Sequence, residues 1–159
     1  MARIELTGEI AAPVSRCFDL ARSVRAHLHS TAGTGERVVG GVTDGLLELG
    51  DEVTWEARHF GVRQTLTSRI TEFERPRHFQ DVMTQGAFRR FVHDHYFEPT
   101  SKGTLLRDVV EYRAPLGILG RLAESLFLSR YLRRFLVLRN DALRELAQSD
   151  HWREFIPPE

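Results

Sequence analysis

From Leu116 to Gln148 the apolar residues keep one register. Leu119, Leu122, Leu126, Phe127, Leu132, Phe135, Leu136, Leu143 and Leu146 recur at a period near 3.6. The spacing predicts a helix about 50 Å long at 1.5 Å per residue. Its apolar stripe must be covered, so the chain before Pro115 has to supply the cover. The opposite face is assigned Arg121, Arg130, Arg133, Arg134 and Arg139. These arginines read as a solvated face or, as the sharper alternative, as a docking surface for an acidic partner.

The preceding residues read mostly as strands. Ile4, Leu6 and Ile10 suggest a first strand with one face inward. Pro13 ends it and suits the first turn of a helix. Val14, Phe18, Ala21, Val24 and Leu28 then recur at helical spacing, as one or two short helices to about Ser30. After the loop "TAGTGE", the stretch from about Arg37 to Arg113 alternates in short runs. "RVVGGVT", "GLLELGD" with a turn at Gly50-Asp51, "EVTWEARH", "VRQTLTSRITEF", "HFQDVMT", "AFRRFVHDHYFE" and "TLLRDVVEYR" follow one another across Gly- and Pro-marked turns. Short turns between successive strands favour an antiparallel meander. The combined demands of sheet and helix are met if the sheet curls around the terminal helix.

Composition excludes several classes. Twenty-two basic and twenty-two acidic residues cancel, which leaves no general attraction for nucleic acid. The lone cysteine, Cys17, excludes an intrachain disulfide and reads as a packed core residue. No run of eighteen apolar residues offers a membrane span, and "MARIELTGEI" lacks the apolar run of a signal peptide. The expectation is one cytoplasmic domain over residues 1–159, its last ten or so residues a tail.

The order of elements is similar to the helix-grip fold of the START-like, or SRPBCC, superfamily. The resemblance spans nearly the whole chain and rests on "IAAPVSRCFDL", "GDEVTWEARHFG", "SRITEFERPRHFQDVM", "GAFRRFVHDHYFE" and "GTLLRDVVEYRAPLGILGRL". Together these look like a bacterial subgroup with little functional characterisation. The resemblance implies an α+β fold: a curved antiparallel sheet of about seven strands wrapped around a long C-terminal helix, with two short helices after the first strand. It further implies a container for an apolar ligand, in a superfamily that includes lipid carriers and polyketide cyclases.

The chemistry concentrates in "RFVHDHYFE". Strand side chains alternate faces, so Phe91, His93, His95 and Phe97 share one side, with the two histidine Cα atoms about 7 Å apart. Flanking aromatics mark that side as the concave one. The same parity places His59 with Val53 and Trp55, Asp81 with Phe79 and Met83, and Asp108 with Leu106 and Val110. Three histidines and two aspartates then enter an apolar interior, where unpaired charge is costly.

Four roles stay open for them: a structural network fixing register, a polar patch orienting a ligand, a His–Asp acid–base pair, or a metal site. A cupin-like metal reading fails, because Glu98 is too close and has the wrong parity. The favoured expectation is binding of a small, mostly apolar molecule such as a lipid, polyketide or isoprenoid. Trp55, His59, Asp81, Phe91, His93, His95, Phe97 and Asp108 are the candidate contacts, and neither cofactor nor metal is assigned. The alternative is a cyclase or hydratase with His93, His95 and Asp108 as catalytic candidates. A homodimer stays open. His27 and His29 sit near a helix end, where imidazolium favours the dipole. His78 and His151 read as exposed. Neither a phosphate-binding Gly-rich loop nor a Gly-x-Ser-x-Gly elbow is present.

Overall fold

A computed structural model describes residues 1–158, the side chains at 124 and 125 excepted. Strand β1 (Ala2–Ile10) leads into helices α1 (Val14–Ala21) and α2 (Val24–Ser30). Six strands follow: β2 (Arg37–Gly41), β3 (Glu52–His59), β4 (Val62–Glu74), β5 (His78–Gln85), β6 (Arg90–Thr100) and β7 (Gly103–Arg113). They form one seven-stranded sheet in the order β1-β7-β6-β5-β4-β3-β2, and every pairing is antiparallel. This is the expected meander, with β1 returning to the far edge beside β7.

Register shifts bend the sheet. One lies between Val38 and Gly40 on β2, and two lie on β4 at Thr67/Ser68 and Ile70/Glu72. Such bulges kink a strand and increase its twist, which lets the sheet close around a helix. At the β2 bulge Gly41 has φ +72°, and a Cβ there would collide with the Glu52 carbonyl. Only glycine fits.

The gripped helix, α4 (Ser129–Gln148), buries Leu136, Leu143, Leu146 and Ala147. The long helix expected from Leu116 is present but interrupted. α3 (Gly117–Ala123) passes through a π-helical turn over Glu124–Leu128 before α4 begins. In this first part the apolar residues do not reach the core. Leu116, Ile118, Leu119, Leu126 and Phe127 are each more than half exposed.

α1 locks the other end. Phe18 is fully buried and meets Phe73, Phe79 and Phe97 edge to face at 5.3–5.4 Å. Each such pair adds about 0.5–1.5 kcal/mol beyond area burial. Beside it, Asp19 accepts hydrogen bonds from Arg22 and Arg75. Arg22 also binds the Leu47 carbonyl and Glu48, fastening residues 42–51 to α1. That segment, expected to contribute to a strand as "GLLELGD", belongs to no strand of the sheet; it is tied to the start of α2 by a Ser23–Leu46 bridge and by the Val24 N–H, which donates to the Gly45 carbonyl at 3.0 Å.

The expected tail is docked rather than loose. Ile156 is buried, Ser23 Oγ donates to the Phe155 carbonyl, and the Arg16 guanidinium covers Trp152 at 4.3 Å. Cys17 lies fully buried in the same core.

Candidate functional site

Register, not sequence proximity, assembles the polar cluster. Asp81 on β5 lies directly opposite His93 on β6, and Asp108 on β7 directly opposite His95. Opposed residues share a sheet face, so all four point to the concave side. His93, His95 and Asp108 are buried and Asp81 half-buried. The two imidazoles lie 3.7 Å apart by centroid, and His95 stacks on Phe79 at 4.2 Å.

Each imidazole spans the gap between the two carboxylates. An ionised carboxylate can only accept. His95 Nε2 therefore donates to Asp81 Oδ1 at 2.9 Å, and His93 Nε2 donates to Asp108 Oδ1 at 3.2 Å. His95 Nδ1 also lies 3.0 Å from Asp108 Oδ1, but out of line with it, so no formed hydrogen bond satisfies that nitrogen. Asn140 Nδ2 on α4 donates to Asp108 Oδ2. Arg139 Nη1 stands 3.6 Å from the same oxygen and donates to Asn140 Oδ1.

The cluster balances its charge. Burial pushes the Asp108 carboxyl up, but the hydrogen bonds and charges of His93 and His95 reverse this and hold it well below the usual range. Asp81 also ends below its ordinary value: burial raises it, and His95, His93 and Arg139 outweigh burial. Burial depresses both imidazoles. For His95 the contacts with Asp108 and Asp81 win and its pKa rises. For His93 the neighbouring His95 charge adds to burial, and its pKa falls despite Asp108. The two carboxylates, both shifted down, thus face two imidazoles shifted in opposite directions, and the Arg139 guanidinium stands beside Asp108.

This cluster forms part of the wall of a cavity of about 320 Å³ between the sheet and α4. The wall is mainly apolar, with Val53, Trp55, Ala57, Ile70, Phe79 and Leu136 among its members. A second polar patch faces the same space. His27 Nε2 contacts Glu36 at 2.8 Å and stacks over Trp55 at 4.1 Å. His59 Nδ1 is hydrogen-bonded to the Tyr131 hydroxyl of α4. Burial holds the His59 imidazole below its ordinary pKa against the opposing charge of Glu36. Exposed or half-buried Phe60, Ala87, Phe88, Leu128 and Tyr131 form the rim.

Of the residues expected at the site, Trp55, His59, Asp81, Phe91, His93 and His95 line the cavity; Phe97 and Asp108 do not. Both have the expected parity, but other elements cover them. Phe97 packs under Phe18 of α1, and Asp108 lies behind the two imidazoles and Asn140.

Arg139 corrects the opposite error. Expected on the solvated face, it is 6% exposed and faces Asp108. It follows Leu136 by three residues and precedes Leu143 by four, so it lies on the apolar stripe, and the helical period should have flagged it. Asn140 and Tyr131 carried no comparable signal. His78, expected exposed, is half-buried: it bonds Asp94 at 2.8 Å and stacks on Tyr96 at 4.5 Å.

A curved sheet gripping a helix over an internal, mainly apolar cavity defines the helix-grip class of ligand-binding folds. The chain belongs to the polyketide cyclase/dehydrase and lipid transport family of START-like, SRPBCC-type proteins; the family model matches residues 1–148. Solved structures agree on the fold. A Thermus thermophilus protein superposes with a TM-score of 0.74 at 18% identity, covering 91% of this chain and 95% of that one. A Chromobacterium violaceum protein gives 0.72 at 17% identity, with 94% and 100% covered. The major latex-like protein 151 of Panax ginseng gives 0.67 at 14% identity, with 93% and 98% covered. No curated protein matches the chain. Family membership supports hydrophobic-ligand binding in general. Among the described residues no helix is long and apolar enough to cross a membrane.

Proposed function

We propose that this protein binds one small, mostly apolar molecule in the cavity under α4, with the molecule's polar end at the His93–His95–Asp81 wall. The observation that carries the reading is the contrast within that wall: a mainly apolar lining into which the buried, mutually hydrogen-bonded His93–His95–Asp81 cluster projects. Its volume of about 320 Å³ lies at the lower end of the roughly 300–1,000 Å³ typical of ligand pockets. Apolar walls supply the affinity, and a few convergent polar groups fix the orientation.

Filling the cavity tests this. Ala57 is buried and lines the space, so Ala57→Phe places a ring where the ligand would lie. The fluorescent apolar probe 1-anilinonaphthalene-8-sulfonate should bind the unmodified protein at one site and lose at least about tenfold in affinity with Ala57→Phe, or about 1.4 kcal/mol. Equal binding by both proteins would refute the reading.

A second reading, a cyclase or hydratase, is favoured by one observation: two imidazoles and a carboxylate share the cavity wall within hydrogen-bond reach. It requires that His93→Ala and His95→Ala each abolish turnover of a substrate the protein is found to convert.

A further inference from the structure

The near and far nitrogens of the two imidazoles have different surroundings. The far nitrogens, His93 Nε2 and His95 Nδ1, both approach one oxygen, Asp108 Oδ1, at 3.2 and 3.0 Å. The near nitrogens, His95 Nε2 and His93 Nδ1, both face Asp81 Oδ1, at 2.9 and 4.0 Å. One donor atom from each of Asp81, His93 and His95 lies within 4.8 Å of the others. With a hydrogen on His93 Nε2 directed at Asp108, His93 Nδ1 presents a lone pair toward a carboxylate oxygen too distant for a hydrogen bond. Two electron-rich atoms facing across a gap call for a cation between them.

We infer that Asp81, His93 and His95 form a binding site for a divalent first-row transition metal ion of the zinc type, with its open coordination position directed into the cavity. Zinc bonds to imidazole nitrogen and carboxylate oxygen at about 2.0–2.2 Å, which sets tetrahedral donors about 3.3–3.6 Å apart. The 2.9 and 4.0 Å contacts of Asp81 Oδ1 bracket that spacing, and all three donor atoms already lie within 4.8 Å of one another. Two imidazoles and a carboxylate leave a fourth position for solvent or ligand. All three residues line the cavity, so that position opens onto the ligand space.

The surroundings match what such a site needs. A ligating histidine usually donates its other N–H to a carboxylate, which fixes its tautomer and its ring. Here one carboxylate, Asp108, stands behind both rings, itself held by Asn140 and faced by Arg139. The ion would replace the proton between His95 Nε2 and Asp81 and occupy the gap beside His93 Nδ1. The Glu98 arrangement excluded by parity is not needed, because the third ligand comes from the neighbouring strand.

This inference rests on the cavity reading for its consequence: the ligand then carries an oxygen donor, such as a carboxylate, enol or hydroxyl, at its polar end. The test keeps the two separate. Full-length protein is stripped with a chelator and titrated with Zn²⁺ against a chromophoric chelator. It is then titrated with Co²⁺, whose visible spectrum reports a tetrahedral site. The same preparations are titrated with 1-anilinonaphthalene-8-sulfonate.

The expected result is one ion per chain and a tetrahedral Co²⁺ spectrum. Asp108→Asn should loosen the ion by about 10–100-fold, and His95→Ala and Asp81→Asn by more. His151→Ala, a change at an exposed histidine far along the chain, should leave binding unchanged. Should a cluster variant fail to fold, the Co²⁺ spectrum and stoichiometry of the unmodified protein still decide. No stoichiometric ion, an octahedral spectrum, or binding that survives His95→Ala would overturn the metal site. Probe binding that persists without metal binding would sink the metal site alone; metal binding without probe binding would sink the cavity reading alone.

Discussion

The polar wall of the cavity and the segment from Leu116 to Phe127 break the apolar-inside rule in opposite senses. In and directly behind the wall, two imidazoles, a guanidinium and the Asp108 carboxylate are buried and the Asp81 carboxylate half-buried, yet they are nearly saturated with partners. In the outer segment, Leu116, Ile118, Leu119 and Phe127 are 68–78% exposed, although the expected stripe joins Leu119 and Phe127 to Leu136 and Leu143. Coverage separates the two regions as sharply as chemistry does: the wall faces α4, whereas the large apolar side chains of α3 stay exposed. A buried polar group is tolerated only as part of a closed network, while an exposed leucine costs little unless it joins a patch. The wall is therefore sensitive to single changes, and the outer segment is not.

The largest expected effect lies in the wall. Asp108→Ala removes the acceptor of His93 and Asn140 and the carboxylate beside His95 Nδ1, and it leaves the Arg139 charge without its buried counterpart. Breaking a buried pair by deleting one partner costs about 3–5 kcal/mol. Urea unfolding should show a loss of that order with an unchanged m value, if the native state keeps its compactness. A loss under about 1 kcal/mol would mean that water already reaches Asp108, and the contrast with the outer segment would collapse.

The charged cluster around Asp19 sharpens the comparison through pH. Asp19 is buried and paired with Arg22 and Arg75. Burial raises its carboxyl pKa, but hydrogen bonds from Arg75 and Arg22 outweigh burial and set it below the ordinary value. A depressed folded-state pKa stabilises fully above the unfolded value, near 3.9, and that stability disappears as pH falls through the folded one. Asp19→Asn should cost about 1–3 kcal/mol at neutral pH, the range for hydrogen bonds to charged groups and buried groups left unpaired. It should also flatten the acid limb of the stability curve below about pH 4. Parallel acid limbs in the two proteins would show that Asp19 is no more strongly paired folded than unfolded.

The sequence exposed the face of each residue better than its neighbours. Strand parity has period two, so "RFVHDHYF" alone put His93 and His95 inward, and the structure places both rings there. Which residue stands across from them depends on the turns that join β5, β6 and β7, which no local pattern encodes. Hence Asp81 and Asp108 were legible as inward-facing but not as the two partners of both imidazoles, and the cover of Phe97 by α1 was not legible at all. On α4 the period of 3.6 did encode Arg139, but residue type was given more weight than position. The break at Glu124–Leu128 does show in the spacing: Leu126 and Leu132 stand six residues apart, off a common helical face, and the row of Leu119, Leu122 and Leu126 continues into Arg130 and Arg133.

The outer part of the expected stripe yields the smallest prediction, which tests that segment most directly. If Leu119 packed under the sheet as its place in the stripe suggests, truncating it to a polar residue would cost the price of a core leucine, about 2–5 kcal/mol. At 71% exposure it has little apolar contact to lose. Leu119→Gln should therefore shift stability by no more than about 0.5 kcal/mol, the usual range for surface changes, and leave the thermal midpoint within about 2 °C. Glutamine matches leucine in helix propensity, so the backbone contributes almost nothing to the difference. A loss above about 1.5 kcal/mol would place the segment against the sheet in solution. The two regions would then differ in residue chemistry and no longer in coverage.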